Sequence, residues 1–424
     1  MAEHVAADVA VVGSGPAGIA AAAVAAESGR AVVLLDEGRH PGGQVWRHTD
    51  RGMLSRVARR WLERLERSGA RVLERASVFD VAPGPRLSAE RHGETVIVRA
   101  GGLILATGAR ERFLPFPGWT LPNVVGVGGA QALLKAGAAF AGKRVVLAGS
   151  GPLLLPVAAA LAAAGARLAV VAERAPAGRV ARFALGLWRR PGDFAAALRY
   201  RAAFPGTRYR WGTWVTGAEG DDRVRRVTLT DGRRTWSEPC DVLCVAAGLV
   251  PATELARLAG CEVRDGAVAV DDRLRTGRPG IWCAGEPVGV GGADLALVEG
   301  EIAGRDAAGL PVPAGLARAR RRGRDYARRI AAAFAPDPSW SAPPPPDTIV
   351  CRCEDVRMAA LRGAWTPRQA KLYTRAGMGP CQGRVCGPAL EALFGWPRDA
   401  ARAPAVPVPV STLLESWESI DARP

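Results

Sequence analysis

The stretch Asp8–Gly18, DVAVVGSGPAG, decides the fold. Asp8 to Val12 is the apolar run of a strand buried on both faces. Gly13, Ser14, Gly15, Pro16, Ala17 and Gly18 follow, and an alanine-rich helix continues to about Ser28. A second strand, Ala31 to Leu35, ends at Asp36, eighteen positions after Gly18. Strand, glycine turn, helix and strand within about thirty residues make a right-handed βαβ unit. Each glycine of Gly13-x-Gly15-x-x-Gly18 has its own steric reason. The first permits a tight turn, the second close approach of a diphosphate, and the third close helix packing. The helix N-terminus favours the diphosphate, and Asp36 can accept a hydrogen bond from a ribose hydroxyl.

A similar unit recurs about 135 residues later. Arg144 to Ala148 leads into Gly149-Ser150-Gly151-Pro152, a helix from about Leu153 to Ala164, and a strand Arg167 to Val171 ending near Glu173. An internal repeat of a nucleotide-binding unit organises the whole chain. In the second copy Leu154 stands where the third glycine belongs, crowding the helix against the strand. Glu173 can still meet a ribose, and three readings stay open there: NAD(P), another nucleotide, or a scaffold that binds none. Apolar strands ending in small residues lie at Leu103–Gly108, Asp241–Gly248 and Gly280–Glu286, where backbone can approach a cofactor. A PFPGW loop follows the first of them.

The composition fits two or three domains: 424 residues with 48% hydrophobic content. Of 57 basic residues only three are lysine, in a chain of formal charge +16. The arginines are scattered, save the run Arg318–Arg329, which reads as a solvated, partner-facing helix rather than a nucleic-acid stripe. Val9–Ala26 and Val145–Ala166 are charge-free, yet Gly-Ser-Gly-Pro interrupts each near its start, so neither reads as a membrane span. Met1–Asp8 carries Glu3 and Asp8 and lacks a basic signal-peptide start. The expected location is cytoplasmic.

Eight cysteines serve two purposes. Cys240, Cys244, Cys261 and Cys283 fall in or beside apolar strands and read as buried thiols. No Cys-x-x-Cys lies near either nucleotide unit, so a dithiol relay has no obvious residues. Past a Pro-rich linker, Cys351-x-Cys353 and, after 27 residues, Cys381-x-x-x-x-Cys386 supply four soft ligands in a segment without histidine. Thiolates suit zinc or iron–sulfur. Zinc pairs are usually spaced by about two to four residues, which disfavours Cys-x-Cys. A [2Fe–2S] cluster is the favoured reading over zinc and over bare thiols.

The run Asp36-Glu37-Gly38 and then Pro41-Gly42-Gly43-Gln44 resembles the two-dinucleotide-binding flavoproteins. Ala106-Thr107-Gly108 looks like their ATG motif, and Cys283-Ala284-Gly285-Glu286 like their late flavin-contacting strand, with Glu286 where an aspartate is common. Gly291-Gly292-Ala293 then opens a helix whose amides face the flavin's pyrimidine edge. The resemblance implies FAD held by Gly13–Gly18, Asp36, Glu37, Gly43, Gln44, Ala106, Thr107, Gly108, Gly285 and Glu286. The expected fold class is α/β, with two Rossmann-like domains, the second inserted in the first, and a small C-terminal cysteine-ligated cluster domain. The FAD domain takes 1–115 and 241–335, the second nucleotide domain 116–240, a linker 336–347, and the cluster domain with its tail 348–424.

With VCRCEDV…KLYTRAGMGPCQGRVCG the chain resembles the FAD-binding alpha subunits of multi-subunit amino-acid and opine dehydrogenases. That group includes the A subunits of octopine/nopaline oxidases and subunits of D-hydroxyproline dehydrogenase and hydrogen cyanide synthase. The resemblance implies that Cys351, Cys353, Cys381 and Cys386 bind [2Fe–2S], with Lys371 and Arg375 screening its charge. It implies a beta subunit that carries the substrate-oxidising flavin, with room for a small ferredoxin-like subunit. The expected function is an electron relay between FAD and the cluster. The alternatives are a self-sufficient NAD(P)H-dependent reductase and a structural subunit with zinc. The four histidines form no catalytic pairing, and no residue is assigned as catalytic.

Overall fold

The structure, a computed structural model, describes residues 2–336, 340, 342–398 and 401–421. Part of the expected linker, 337–339 and 341, lies outside the described residues. The chain forms two compact units. One holds 2–110, 250–327 and 401–421, the other 111–249 and 328–398.

In the first unit the opening strand β1 (Glu3–Val12) is longer than the apolar run alone predicts. It turns at Gly13–Gly15 into α1 (Pro16–Glu27), and β2 (Val32–Leu35) follows. Proline at the first helical turn and glycine before it suit a helix that starts abruptly. Next come α2 (Arg56–Arg67), β3 (Arg71–Leu73), β4 (Ala76–Ala82), β5 (Arg86–Arg91) and β6 (Glu94–Leu105). The sheet order is β3-β2-β1-β6-β5-β4, with Ile281–Cys283 pairing β6 in parallel. β1 is flanked by β2 on one side and β6 on the other, so the strand order reverses at its C-terminal end. Such a reversal opens a crevice between the strand ends, the usual place for a dinucleotide.

Two helices matter to that crevice: α3 (Ala293–Ala307), and α4 (Ala314–Ala333), which carries the arginine run. Where α3 crosses α1 there is room only for hydrogen. A Cβ on Gly300 would lie 2.0 Å from Ala17 O, and one on Gly304 2.5 Å from Ala21 O. The last helix, α5 (Val410–Asp421), returns to this unit. Thr95 Oγ1 donates to Thr412 O at 3.3 Å and Arg86 Nη2 to Ser416 O at 3.1 Å. The Pro-Val stretch before it stays irregular, as its composition dictates, and Ala405 N donates to Phe79 O.

The second unit is built on an all-parallel five-stranded sheet of Arg208–Trp211, Arg167–Glu173, Arg144–Gly149, Val242–Ala246 and Val124–Gly126. A three-stranded antiparallel sheet, Trp214–Glu219, Arg226–Thr230 and Thr235–Pro239, packs on it. The cysteine module, from Ile349 on, belongs to the same unit. Both charge-free runs prove to be strand followed by helix. Among the described residues, no helix is long and apolar enough to cross a membrane.

Candidate cofactor sites

Around the N-terminus of α1 the first unit gathers residues from four distant segments. Gly13 has φ +102°, and a Cβ there would sit 2.3 Å from Ala106 O, so only glycine lets β1 end against that strand. Asp36 binds the loop from the other side: Ser14 N donates to Oδ2 at 2.5 Å and Gly38 N to Oδ1 at 2.6 Å. Gly42 N donates to Ser14 O at 2.8 Å, and a Cβ on Gly43 would lie 2.9 Å from Gly15 Cα. Gly285 closes the ring, its absent Cβ falling 2.8 Å from the Cβ of Ala17. Thr107 Oγ1 donates to Ala252 O at 2.6 Å, while Glu37 and Gln44 stand exposed.

Glu286 shows what one extra methylene does. Its Oε1 accepts from Gly291 N at 3.2 Å and Gly292 N at 2.7 Å, filling two of the amides at the start of α3. Those amides are therefore taken by the protein, contrary to the expectation that they face a ligand. Burial pushes the Glu286 carboxyl above the usual carboxylate range, and the two amides pull it partly back.

The ring fits a dinucleotide. Ser14 Oγ and Glu286 Oε2 are buried with no hydrogen-bond partner among the described residues. A buried polar atom left unpaired costs free energy unless a ligand supplies the bond. The space over Gly15 is open, with nothing within 4 Å of a Cβ placed there. No side chain caps α1, so its first amides stay available to a diphosphate.

The second glycine loop is built differently. The helix Leu154–Ala163 starts three residues after Gly151, and Leu154 is fully buried among Val145, Leu147 and Val171. The carboxyl of Glu173, expected to meet a ribose, is instead wholly buried. It accepts from Ala175 N at 2.8 Å and Gly151 N at 3.1 Å, and also from the Ser150 hydroxyl. Burial pushes it up to about 7, against those three hydrogen bonds. The next residue, Arg174, lies over the rings of Trp214 and Trp340, 4.8 and 4.6 Å from their centroids.

In the cysteine module the four sulfurs converge. Cys386 shares hydrogen bonds with Cys351 and with Cys381, and Cys381 is bonded in turn to Cys353. The Cys386 bond and the amides of Gly377, Glu354 and Cys353 hold Cys351 down to about 6, against its burial. Cys381 falls to about 4, chiefly through Cys386 and then through the Val385 amide, the Cys353 thiol and the Gly383 amide. Cys386 moves the opposite way, pushed up by its bonds to Cys351 and Cys381, and burial raises Cys353, so without a metal two of the four sulfurs keep their protons. A bound cationic centre would draw all four to thiolate. Gly379 is required here, because a Cβ on it would lie 2.3 Å from Cys353 Cβ. Arg375 Nε donates to Glu354 Oε2 at 2.6 Å, an ion pair whose acid is next to Cys353 in sequence. The PFPGW loop anchors the module, Trp119 Nε1 donating to Ile349 O at 2.5 Å.

Residues 7–300 match the pyridine nucleotide-disulphide oxidoreductase family. The chain belongs to that family. Residues 349–396 match the BFD-like [2Fe-2S] binding domain. The protein is thus an FAD-dependent oxidoreductase of this family with an added [2Fe–2S] domain. The A subunit of opine oxidase from Rhizobium meliloti is 32% identical, over 96% of this chain and 87% of that protein. The HcnB subunit of hydrogen cyanide synthase from Pseudomonas protegens is 30% identical, over 97% and 98%. Among solved structures, an L-proline dehydrogenase from P. horikoshii superposes with a TM-score of 0.68 at 21% identity, over 97% of this chain and 80% of that one. A thioredoxin reductase from T. acidophilum gives 0.57 at 22% identity, over 72% and 98%.

One group of the first unit escaped the motif reading. Glu299, on α3, is fully buried and accepts from Gly285 N at 3.1 Å. From α4, Arg320 Nε reaches it at 3.2 Å and Arg324 at 2.8 and 2.7 Å. Two arginines of the supposedly solvated run therefore point inward. The available signal was a glutamate set among Leu297, Val298, Gly300 and Ile302.

Proposed function

We propose that this chain is the electron-relay subunit of a heteromeric dehydrogenase that oxidises an amino-acid or opine C–N bond. Electrons pass between its FAD and its [2Fe–2S] cluster. The observation that carries the reading is the convergence of Cys351, Cys353, Cys381 and Cys386 in a chain that also presents a complete dinucleotide cradle. The relatives named as subunits of opine oxidase and hydrogen cyanide synthase support a partner, here a beta subunit bearing the substrate-oxidising flavin. A small ferredoxin-like subunit completes the assembly, in the cytoplasm.

FAD exchanges electrons in pairs or singly, and the cluster carries them singly. This chain's part is to hold the two. Amides at the start of α1, with Gly13, Gly15, Pro16, Ala17 and Gly18 packed closely, receive the diphosphate. Ser14 Oγ supplies a further donor. Asp36 keeps lone pairs for the ribose while tying the loop to β2, with Glu37 at its rim. Gly43 borders Gly15 with Gln44 next in sequence, and Ala106 and Thr107, followed by Gly108, lie against Gly13. Gly285 allows its strand to reach α1, and the unpartnered Glu286 Oε2 would accept a hydroxyl of bound FAD.

The alternative, a self-sufficient NAD(P)H-dependent reductase, needs the second glycine loop to bind nicotinamide. Its helix starts late, Glu173 is engaged by its own loop, and Arg174 is already packed between two indoles. An anaerobic visible spectrum titrated with NADH and then NADPH tests the choice. Flavin and iron–sulfur bands that neither nucleotide bleaches support the relay; prompt bleaching overturns it in favour of the reductase.

A further inference from the structure

Between Arg167–Glu173 and Arg208–Trp211 of the second unit run two helices, Ala177–Leu185 and Pro191–Ala202, joined by the turn Gly186–Arg189. Neither helix has a buried residue, whereas Leu154–Ala163 beside the same sheet buries five. Leu187, in the turn between them, is the one buried residue among those described from 177 to 202. Large apolar side chains face out instead: Leu185 is 77% exposed, Trp188 72%, Phe194 44% and Leu198 56%. Phe194 and Leu198 are four residues apart on one helix and share its side, while Leu185 ends the first helix and Trp188 lies in the turn just after it. Four such exposed side chains within so short a stretch are a concentration of apolar surface of the sort that marks an interaction site.

The charge around the patch has one sign. From Arg174 to Arg210 the sequence carries nine arginines and a single acidic residue, Asp193. That net +8 is half of the whole chain's +16. Arg182 and Arg199 are exposed beside the apolar residues, and Arg190 meets Asp193 at 3.0 Å. An apolar centre rich in Trp and Phe with an arginine rim is the composition of a protein–protein interface. A second copy of this chain would set the same arginines against one another, at a cost in like-charge repulsion. Four large side chains spread over a helix end, a turn and a second helix suit pockets in a partner, not the continuous apolar face of a helix lying in a membrane surface.

We propose that the face formed by residues 177–202 is where the substrate-oxidising subunit docks. That subunit would receive Leu185, Trp188, Phe194 and Leu198 in apolar pockets ringed by Asp and Glu. The proposal rests on the relay reading above. It concerns only which surface is used, so the two can fail separately.

The experiment compares hydrogen exchange of the holo chain alone with that of its purified complex with the cognate substrate-oxidising flavoprotein. Protection is expected over 177–202. The double variant Trp188→Glu/Leu198→Glu is expected to weaken the complex by roughly 30-fold or more while keeping its flavin and iron. The variant Arg182→Glu/Arg199→Glu is expected to associate more slowly and with a shallower salt dependence. Failure of any flavoprotein to form a complex would sink the relay reading itself. A complex that leaves 177–202 unprotected and binds both variants as wild type overturns the docking face alone. So does protection of 177–202 by self-association or by phosphatidylglycerol vesicles without the partner.

Discussion

Arg324 Nη2 and Nε lie 2.7 and 2.8 Å from the two oxygens of Glu299, a two-point ion pair inside the first unit. The same guanidinium donates through Nη1 to Gly289 O at 2.7 Å. Glu299 meanwhile takes Gly285 N, so one buried pair holds both ends of the loop that bears Glu286. Bidentate geometry and a full set of hydrogen bonds are what make a buried pair tolerable.

Replacing Glu299 by Gln leaves Arg320 and Arg324 facing a neutral amide. Breaking one partner of a buried pair costs about 3 kcal/mol or more. Glu299→Gln is expected to lower the melting temperature and to purify with substoichiometric flavin. Arg324→Lys, which keeps the charge but loses the fork, is expected to fall between. Differential scanning calorimetry and a flavin-to-protein ratio measure both. A variant with wild-type flavin content would show that the pair does not set the loop.

Gly300→Ala adds one methyl where α3 meets α1, and the obstacle is the Ala17 carbonyl at 2.0 Å, which is backbone. Alanine gains helix propensity of about 1 kcal/mol over glycine. The gain does not offset overpacking of about 1–3 kcal/mol together with a forced shift of α3. Because Ala17 lies in the first turn of α1, that shift disturbs the diphosphate cradle. The expected result is weaker FAD retention on dialysis as well as a lower melting temperature. An alanine variant as stable as wild type would mean that the two helices can separate freely.

The cradle was legible because its signals are local. β1, the glycine turn and Asp36 fall within one short stretch, and glycine spacing states its own steric reason. The cysteine quartet was legible from ligand type, and its spacing weighed against zinc. Arg320 and Arg324 were not legible, because a charge run reads as solvated until the buried acid that faces it is known. Glu173 misled in the other direction. Its place at a strand end predicts a ribose contact, yet with the helix starting only at Leu154 the loop amide of Gly151 turns to the carboxylate. Glu286 likewise reaches Gly291 and Gly292 through one methylene, a length effect visible only with the loop in place.

Cys386 bonds to two of the other three sulfurs, so its loss should dismantle the whole centre. Cys386→Ser is expected to lose the broad iron–sulfur absorbance and both irons while retaining the flavin band, since the FAD residues lie in the other unit. Metal analysis decides the zinc alternative in the same sample. Two irons per wild-type chain support the cluster, and one zinc with no visible band beyond flavin would replace it.

Glu173 gives the second unit a pH signature. Its folded value of about 7 stands above the ordinary carboxylate value of 4.5, with burial as the main cause. Between those values the folded state binds the extra proton, so stability falls as pH rises through the window. The contribution is fully present below the unfolded value and lost once pH passes about 7. A shift of this size corresponds to about 3 kcal/mol. Glu173→Gln cannot ionise and should flatten the dependence of melting temperature on pH between 5 and 8. Its absolute stability at low pH should drop, because its single oxygen must serve the amides of both Gly151 and Ala175. A wild-type slope in that variant would place the pH dependence elsewhere and show that the Glu173 carboxyl is solvated.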